Sequence, residues 1–228
     1  MSAGTARTGK LVTVAGIDGA GKSTLAASLH AAVNASGQEA ILVGKHTTKV
    51  PMSADLSEYV DSVNAVIYRR KISVCAASGD HYWLFALAAW YSLQDRLIIQ
   101  PALQAGTHVI LDNAHHKILA RYAVNPEVPT DLARQVFAHL TAPQIVLFLN
   151  VTPRQALARK QEFSSLESGH TGSTGNAFIS YQDSVADQLR QQADNAWVTW
   201  TAPGILEAVK PGRMQGHGGT AEVSGGAA

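Results

Sequence analysis

Nine consecutive residues, Gly16-Ile17-Asp18-Gly19-Ala20-Gly21-Lys22-Ser23-Thr24, match the spacing G-x-x-x-x-G-K-[S/T]. The chemistry of that spacing is phosphate binding. Glycines at these positions let the backbone curl until its N–H groups point inward at phosphate oxygens. A helix opening at Lys22 adds its positive end. Lys22 reaches the β- and γ-phosphates of a nucleoside triphosphate, and the Ser23 hydroxyl is a ligand for Mg²⁺. Gly16, Gly19, Ala20, Gly21, Lys22, Ser23 and Thr24 are therefore expected to hold ATP. A second acid belongs with them: Asp112 closes the apolar run HVILD, where a carboxylate at a strand end holds Mg²⁺ or polarises the acceptor. Lys22 and Asp112 are the expected catalytic pair, and Ser23 and Asp112 the expected metal ligands. The competing reading of Asp112 is a cap on the next helix.

A loop of this kind needs a strand before it and a helix after it. Leu11–Ala15 (LVTVA) reads as that strand and residues 22–35 as that helix, with Leu25, Leu29 and Val33 on one face. Further strands are expected at Ala40–Val43, His108–Asp112, Ile145–Val151 and Trp197–Thr201. Helices are expected at Ala54–Ser73, at Tyr82–Ala105 with Gly106 closing it, after Pro153, and over Ala177–Asp194. Strands alternating with helices predict an α/β fold: a three-layer P-loop NTPase with a mostly parallel five-stranded sheet flanked by helices. In such sheets ligands bind beyond the carboxyl ends of the strands, where the glycine loop falls.

Composition narrows the partners. The chain has 228 residues, enough for one full-sized core, and a formal net charge of +1, so no global field draws it to nucleic acid or to a membrane. Its single cysteine, Cys75, cannot form an internal disulfide and is read as a small buried residue, consistent with a cytoplasmic setting. The first ten residues lack the apolar core of a signal peptide, and the apolar stretch Tyr82–Leu93 is too short to span a bilayer. We expect residues 1–9 to be a flexible N-terminus, 10–210 a single domain with a lid near 161–177, and the Gly-rich tail 211–228 to be disordered.

Three segments resemble the thymidylate kinase family: the loop GIDGAGKST, the helix-then-strand segment LIIQPALQAGTHVILD (residues 97–112), and VLFLNVTPRQALARK (residues 146–160). The resemblance implies an ATP- and Mg²⁺-dependent phosphotransferase acting on a nucleotide or a nucleoside-like small molecule. By its residue matches, Arg159 lies beside the donor adenine, Ser164–Asn176 forms the mobile lid, Asp18 is an acid near the acceptor sugar, and Phe85 stacks on the acceptor base. Core packing is the alternative for Phe85, and an exposed helix arginine for Arg159.

The departures from the family pattern bear on the acceptor. Asn113 follows the strand-end aspartate where the family has a phosphate-gripping arginine. Ala89 or Trp90 stands at the base-reading position, Gly44-Lys45-His46 follows the second strand where an arginine belongs, and residues 161–189 contain no lid arginine. Arginine grips phosphate bidentately; Asn and Lys do not. These changes predict a poor dTMP kinase. Lys45, His46, the helix segment Tyr68-Arg69-Arg70-Lys71, Arg96 and Arg121 are candidate replacements, and the adjacent pair His115-His116 lacks a third metal ligand. Two other classes stay open: a degenerate nucleotide-binding module and an NTPase without an acceptor. A homodimer is left open as well.

Overall fold

The computed structural model describes residues 8–45, 50–69, 71–112, 114–125, 127–160, 162–169 and 174–200. Five strands form one all-parallel sheet: β1 (Leu11–Gly16), β2 (Ala40–Val43), β3 (His108–Asp112), β4 (Ile145–Leu149) and β5 (Trp197–Trp200). Their order is β2-β3-β1-β4-β5, which puts β1 at the centre. Val14 pairs with Asp112 of β3 and Gly16 with Leu149 of β4, so the carboxyl ends of the three central strands lie side by side. Burial on both faces explains their unbroken apolar runs: Val14, Ala15, Val109, Ile110 and Phe148 are all buried.

Helices cover the sheet. They are α1 (Lys22–Ala35), α2 (Ala54–Tyr68), α3 (Ile72–Gln94), α4 (Gln100–Gln104), α5 (His115–Val124), α6 (Thr130–Phe137), α7 (Pro153–Arg159) and α8 (Gly175–Gln191). A π-turn, Asp95–Ile99, joins α3 to α4, and a 3-10 turn, Ser165–Ser168, precedes α8. Strand positions follow the sequence expectation to within two residues at the ends. Helix boundaries differ more. The helix expected over Ala54–Ser73 stops at Tyr68, because the chain turns there to lay α3 on α2, with the Tyr68 and Trp90 rings edge to face at 6.2 Å. No Gly or Pro at residues 69–71 announces that turn.

The helix expected to begin at Tyr82 begins at Ile72 and bends at Gly79, whose φ of 73° and ψ of 164° are not helical. A positive φ of this kind suits glycine. The bend frees the Cys75 carbonyl, and the Trp83 indole N–H donates to it at 3.2 Å. From the other side, the Tyr122 hydroxyl donates to the Asp80 carbonyl at 3.1 Å and Asn125 donates to the Asp80 carboxylate at 2.6 Å. The kink is thereby tied to the end of α5. Helices α5 and α6 carry no expectation from the sequence; their apolar positions are short and interrupted by charged residues. Among the described residues, no helix is long and apolar enough to cross a membrane.

Candidate functional site: the loop after β1 and the cavity beside it

β1 ends in Gly16, and the loop then climbs to α1 with Gly19 at φ 79° and Gly21 at φ 96°. Gly21 is the N-cap of α1 in the left-handed region, so a side chain there would be strained although the space beyond it is open. Gly19 is needed for both reasons: a Cβ at that position would stand 2.9 Å from the Ala156 carbonyl and 3.0 Å from the Lys160 side chain. The close approach of α7 to the loop depends on that missing Cβ. Lys22 opens α1, and its ammonium donates to the Ile17 carbonyl at 2.6 Å. Burial lowers its pKa, against the opposing pull of the Asp18 and Asp112 carboxylates. Both acids thus face Lys22.

Asp112 ends β3 beside the loop. Its Oδ1 is buried and has no hydrogen-bond partner among the described residues. The Ser23 hydroxyl lies on an exposed residue in the first turn of α1. A carboxylate and a hydroxyl are hard oxygen donors, the ligand type that Mg²⁺ takes together with substrate phosphates and water. These two residues fit that ion. Thr24 is likewise exposed, and Ala20 is fully buried against Gly16. Arg159, at the end of α7, donates to the Ala20 carbonyl at 3.4 Å and is otherwise exposed, which puts it on the rim of the loop.

Asp18 points away from the solvent face of the loop. Lys117 of α5 donates to Oδ1, Arg121 of α5 donates to Oδ2 at 2.7 Å, and Gln182 of α8 donates to Oδ2 at 3.2 Å. The same Gln182 accepts from the Asp18 backbone N–H at 3.0 Å and donates to the Glu167 carbonyl at 2.7 Å. Burial alone would raise the Asp18 pKa; Lys117 and Arg121 overcome it and hold the carboxyl well below its usual range. Burial beside Arg121 and Lys22 brings Lys117 down to about 7 in spite of Asp18. Glu167 in turn pairs with Lys160 at 2.6 Å and caps the 3-10 turn through Ser164. The first part of the segment expected to be a lid is thus a packed turn with Ser168 fully buried. Its polar composition gave no hint of this, because the burial is achieved by hydrogen bonds to α8. Residues 161 and 170–173 of that segment lie outside the described residues.

Next to this network is a cavity of about 410 Å³ between the α3 kink, α5, the 3-10 turn and α8. Trp83, Leu87, Ile118 and Tyr181 give it apolar walls; Arg121 stands at one end, with Asp80, Asn125 and Glu127 also on its lining. Phe85, expected against the acceptor base, is not on that lining. It is 51% exposed, two residues from Trp83 and so on the opposite side of α3. Ala89 is exposed and Trp90 lies in the core, so neither lines the cavity. Lys45 is exposed at the end of β2, and its carbonyl accepts from Asn64 at 3.0 Å. His46, Arg70 and Asn113 lie outside the described residues. His115 and His116 are stacked at 4.4 Å in the interior, and burial lowers their pKa values to about 3 and about 4.

Sequence reasoning missed Lys117, Gln182, Asp80, Trp83 and Tyr181 as parts of this region. One signal was present: Lys117 and Arg121 are four apart, the spacing that puts two side chains on one helix face. No sequence signal marks Gln182, which acts on residues 164 positions away.

A parallel sheet with a glycine loop at the carboxyl end of its central strand, an unpartnered strand-end carboxylate beside it and a lysine between two acids defines the class: a P-loop phosphotransferase. A family model described as thymidylate kinase matches residues 14–210. A thymidylate kinase of Chlorobium phaeobacteroides is 29% identical over 159 residues, spanning 68% of this chain and 67% of that protein. One from Xanthomonas oryzae pv. oryzae is 30% identical over 151 residues, 66% of this chain and 60% of that protein, and one from Arabidopsis thaliana is 24% identical over 204 residues, 89% and 68%. The chain belongs to the thymidylate kinase family and is an ATP-dependent nucleotide kinase.

Proposed function

We propose that this kinase transfers the γ-phosphoryl group of Mg-ATP to a nucleotide acceptor in the cavity and that it is a poor dTMP kinase. The observation that carries the reading is the position of Lys22, at the mouth of the glycine loop and facing both Asp18 and Asp112. The loop amides and Lys22 hold the donor phosphates, Arg159 lies along the nucleotide, and Ser23 and Asp112 hold Mg²⁺. The ion supplies charge neutralisation on the β- and γ-phosphates. Phosphoryl transfer asks the protein for positioning and fixed charge more than for covalent chemistry. The turn Ser165–Ser168, tied to the loop through Gln182 and Lys160, helps to exclude water that would otherwise accept the phosphoryl group.

The weak use of dTMP follows from Asn113, from the absence of an arginine over residues 161–189, and from Ala89 and Trp90, which stand away from the cavity. Each hydrogen bond to a charged group contributes roughly 1.5–3 kcal/mol, so two losses lower kcat/KM by about a hundredfold or more. Residues 10–210 form one kinase domain in this reading, with the lid near 161–177 and a cytoplasmic location. The exposed apolar side chains of Tyr59 and Val66 on α2 and of Tyr82 and Phe85 on α3 support a homodimer.

A panel of nucleoside monophosphates and nucleosides, dTMP among them, assayed for ADP release and for the phosphorylated product, tests the proposal. Expected is efficient transfer to a monophosphate other than dTMP. An acceptor-independent release of phosphate would instead establish an NTPase, and nucleotide binding with no turnover a degenerate binding module, the reading that the missing lid arginine supports. A kcat/KM for dTMP well above that for every other acceptor would overturn the specificity claim.

A further inference from the structure

One face of α5 and its C-cap line the cavity with Ile118, Arg121, Tyr122 and Asn125. Arg121 is at the end next to the glycine loop, where it donates to Asp18 at 2.7 Å and also faces Glu167. One helical turn further along, Asn125 donates to Asp80 Oδ2 at 2.6 Å. The Asn125 amide is fixed in that orientation, because its own Oδ1 accepts from the Glu127 N–H at 3.3 Å. The Tyr122 hydroxyl donates to the Asp80 carbonyl at 3.1 Å. Asp80 is thus held at the Gly79 bend, half-buried, on the cavity lining. Its second carboxylate oxygen, Oδ1, accepts no hydrogen bond from the described residues. A tie between α3 and α5 needs only Oδ2, so Oδ1 is left for something else. Glu127, exposed on the same part of the lining, adds a second carboxylate there.

We propose that Asp80 is a specificity-determining residue of the acceptor site and selects a base that offers an amino group over one that offers a carbonyl at the same edge. The proposal rests on the kinase reading above, in which the end of the acceptor that receives the phosphoryl group faces Lys22. The other end then lies one turn of α5 beyond Arg121, at Asp80. A carboxylate has acceptors only. It takes the N–H of an amino group in a charge-assisted hydrogen bond. It meets a carbonyl lone pair to lone pair, and the partial burial of Asp80 then goes uncompensated. The ring N–H of thymine or uracil gives little relief, since it sits between two carbonyls that hold the carboxylate off. Trp83, Leu87 and Ile118 supply apolar walls suited to the faces of a planar base, and their low dielectric sharpens the discrimination at its edge. Thymine has a carbonyl where cytosine has an amino group, so the same residue disfavours dTMP.

The test uses two matched pairs of monophosphates, dCMP with dUMP and dAMP with dIMP, each exchanging an amino group for a carbonyl. The wild-type protein and Asp80→Asn are assayed for kcat/KM with all of them, and titrated calorimetrically with them in the absence of ATP. In the pair it uses better, the wild type should favour the amino member by about tenfold or more, the scale of a charge-assisted bond. Asp80→Asn should lose that preference through a higher KM and Kd for the amino member, while the carbonyl member moves less than about twofold or improves. A wild type that favours the carbonyl member or neither would overturn the assignment. So would a preference unchanged in Asp80→Asn, or an equal loss for both members, which is what a residue that only ties α3 to α5 would give. If the wild type transfers to no monophosphate, the kinase reading fails, and the titration still decides this one. Tighter binding of the amino member that disappears in Asp80→Asn supports it, and equal or absent binding defeats it. Should Asp80→Asn not fold, Asp80→Ser, which keeps an acceptor for Asn125 without the charge, carries the same comparison.

Discussion

The two sides of the site are built in opposite ways. The donor side is nine consecutive residues between β1 and α1, and its shape comes from glycines at positive φ. The proposed acceptor side is assembled from α3, α5, α8 and the 3-10 turn, and beside it is a carboxylate bound by side chains 99, 103 and 164 positions away. Asp18 belongs to both: its backbone is part of the loop, and its side chain is the hub of the distant cluster. The lesson is that a local motif can set the backbone of a loop while one of its side chains works for another part of the molecule. It also follows that the two sides should fail differently when mutated, one in rate and the other in stability.

The sharpest way to break that contrast is Asp18→Asn. The change leaves Lys117 and Arg121 buried without their counter-ion, and removing one partner of a buried pair destabilises by about 3–5 kcal/mol. Thermal melting should show a large fall in Tm. An unchanged Tm would mean that the network contributes nothing to the fold and that the two sides do not differ. Lys22→Ala is the counterpart on the donor side. It should lower kcat by about a hundredfold to a thousandfold at saturating ATP, the scale for losing one donor to the reacting charge. Its Tm should stay close to that of the wild type, because the Lys22 side chain holds nothing but the Ile17 carbonyl. Full activity in this variant would remove the phosphate-loop assignment.

The acceptor side should also respond to pH. His115 and His116, in α5, bind protons in the unfolded chain near pH 6.5 but in the fold only near 3 and 4. Between those values the unfolded state holds more protons, so stability falls as pH drops below 6.5. The loss should be on the order of 1 kcal/mol per ring between pH 6.5 and 5.5. Urea midpoints across that range should flatten in His115→Phe, and a slope equal to that of the wild type would show that burial is not its source.

A smaller effect is expected at higher pH. Lys117 loses its proton near pH 7 in the fold, facing Asp18 from the loop, Lys22 from α1 and Arg121 on its own helix. With the cation lost, kcat/KM for a monophosphate acceptor should decline severalfold as pH rises above about 7, while Lys117→Arg, which stays charged, should hold its rate. Identical pH profiles for the two proteins would separate Lys117 from acceptor binding.

Much of this protein is written locally. Apolar runs gave the three central strands, since a strand buried on both faces is apolar nearly throughout. The spacing of Gly16, Gly21, Lys22 and Ser23 gave the loop between β1 and α1, because the geometry of a short turn is set by its own φ angles. Other features were decided by tertiary structure. The chain turns after Tyr68 because α3 packs on α2, not because of a breaker in the sequence. Trp83 rather than Phe85 faces the cavity because the helix is phased by its contacts with α5. Asp18 is held in the interior because Lys117, Arg121 and Gln182 arrive there from elements far along the chain, and a pairing between distant residues leaves no periodicity in either segment for a reader of the sequence to find.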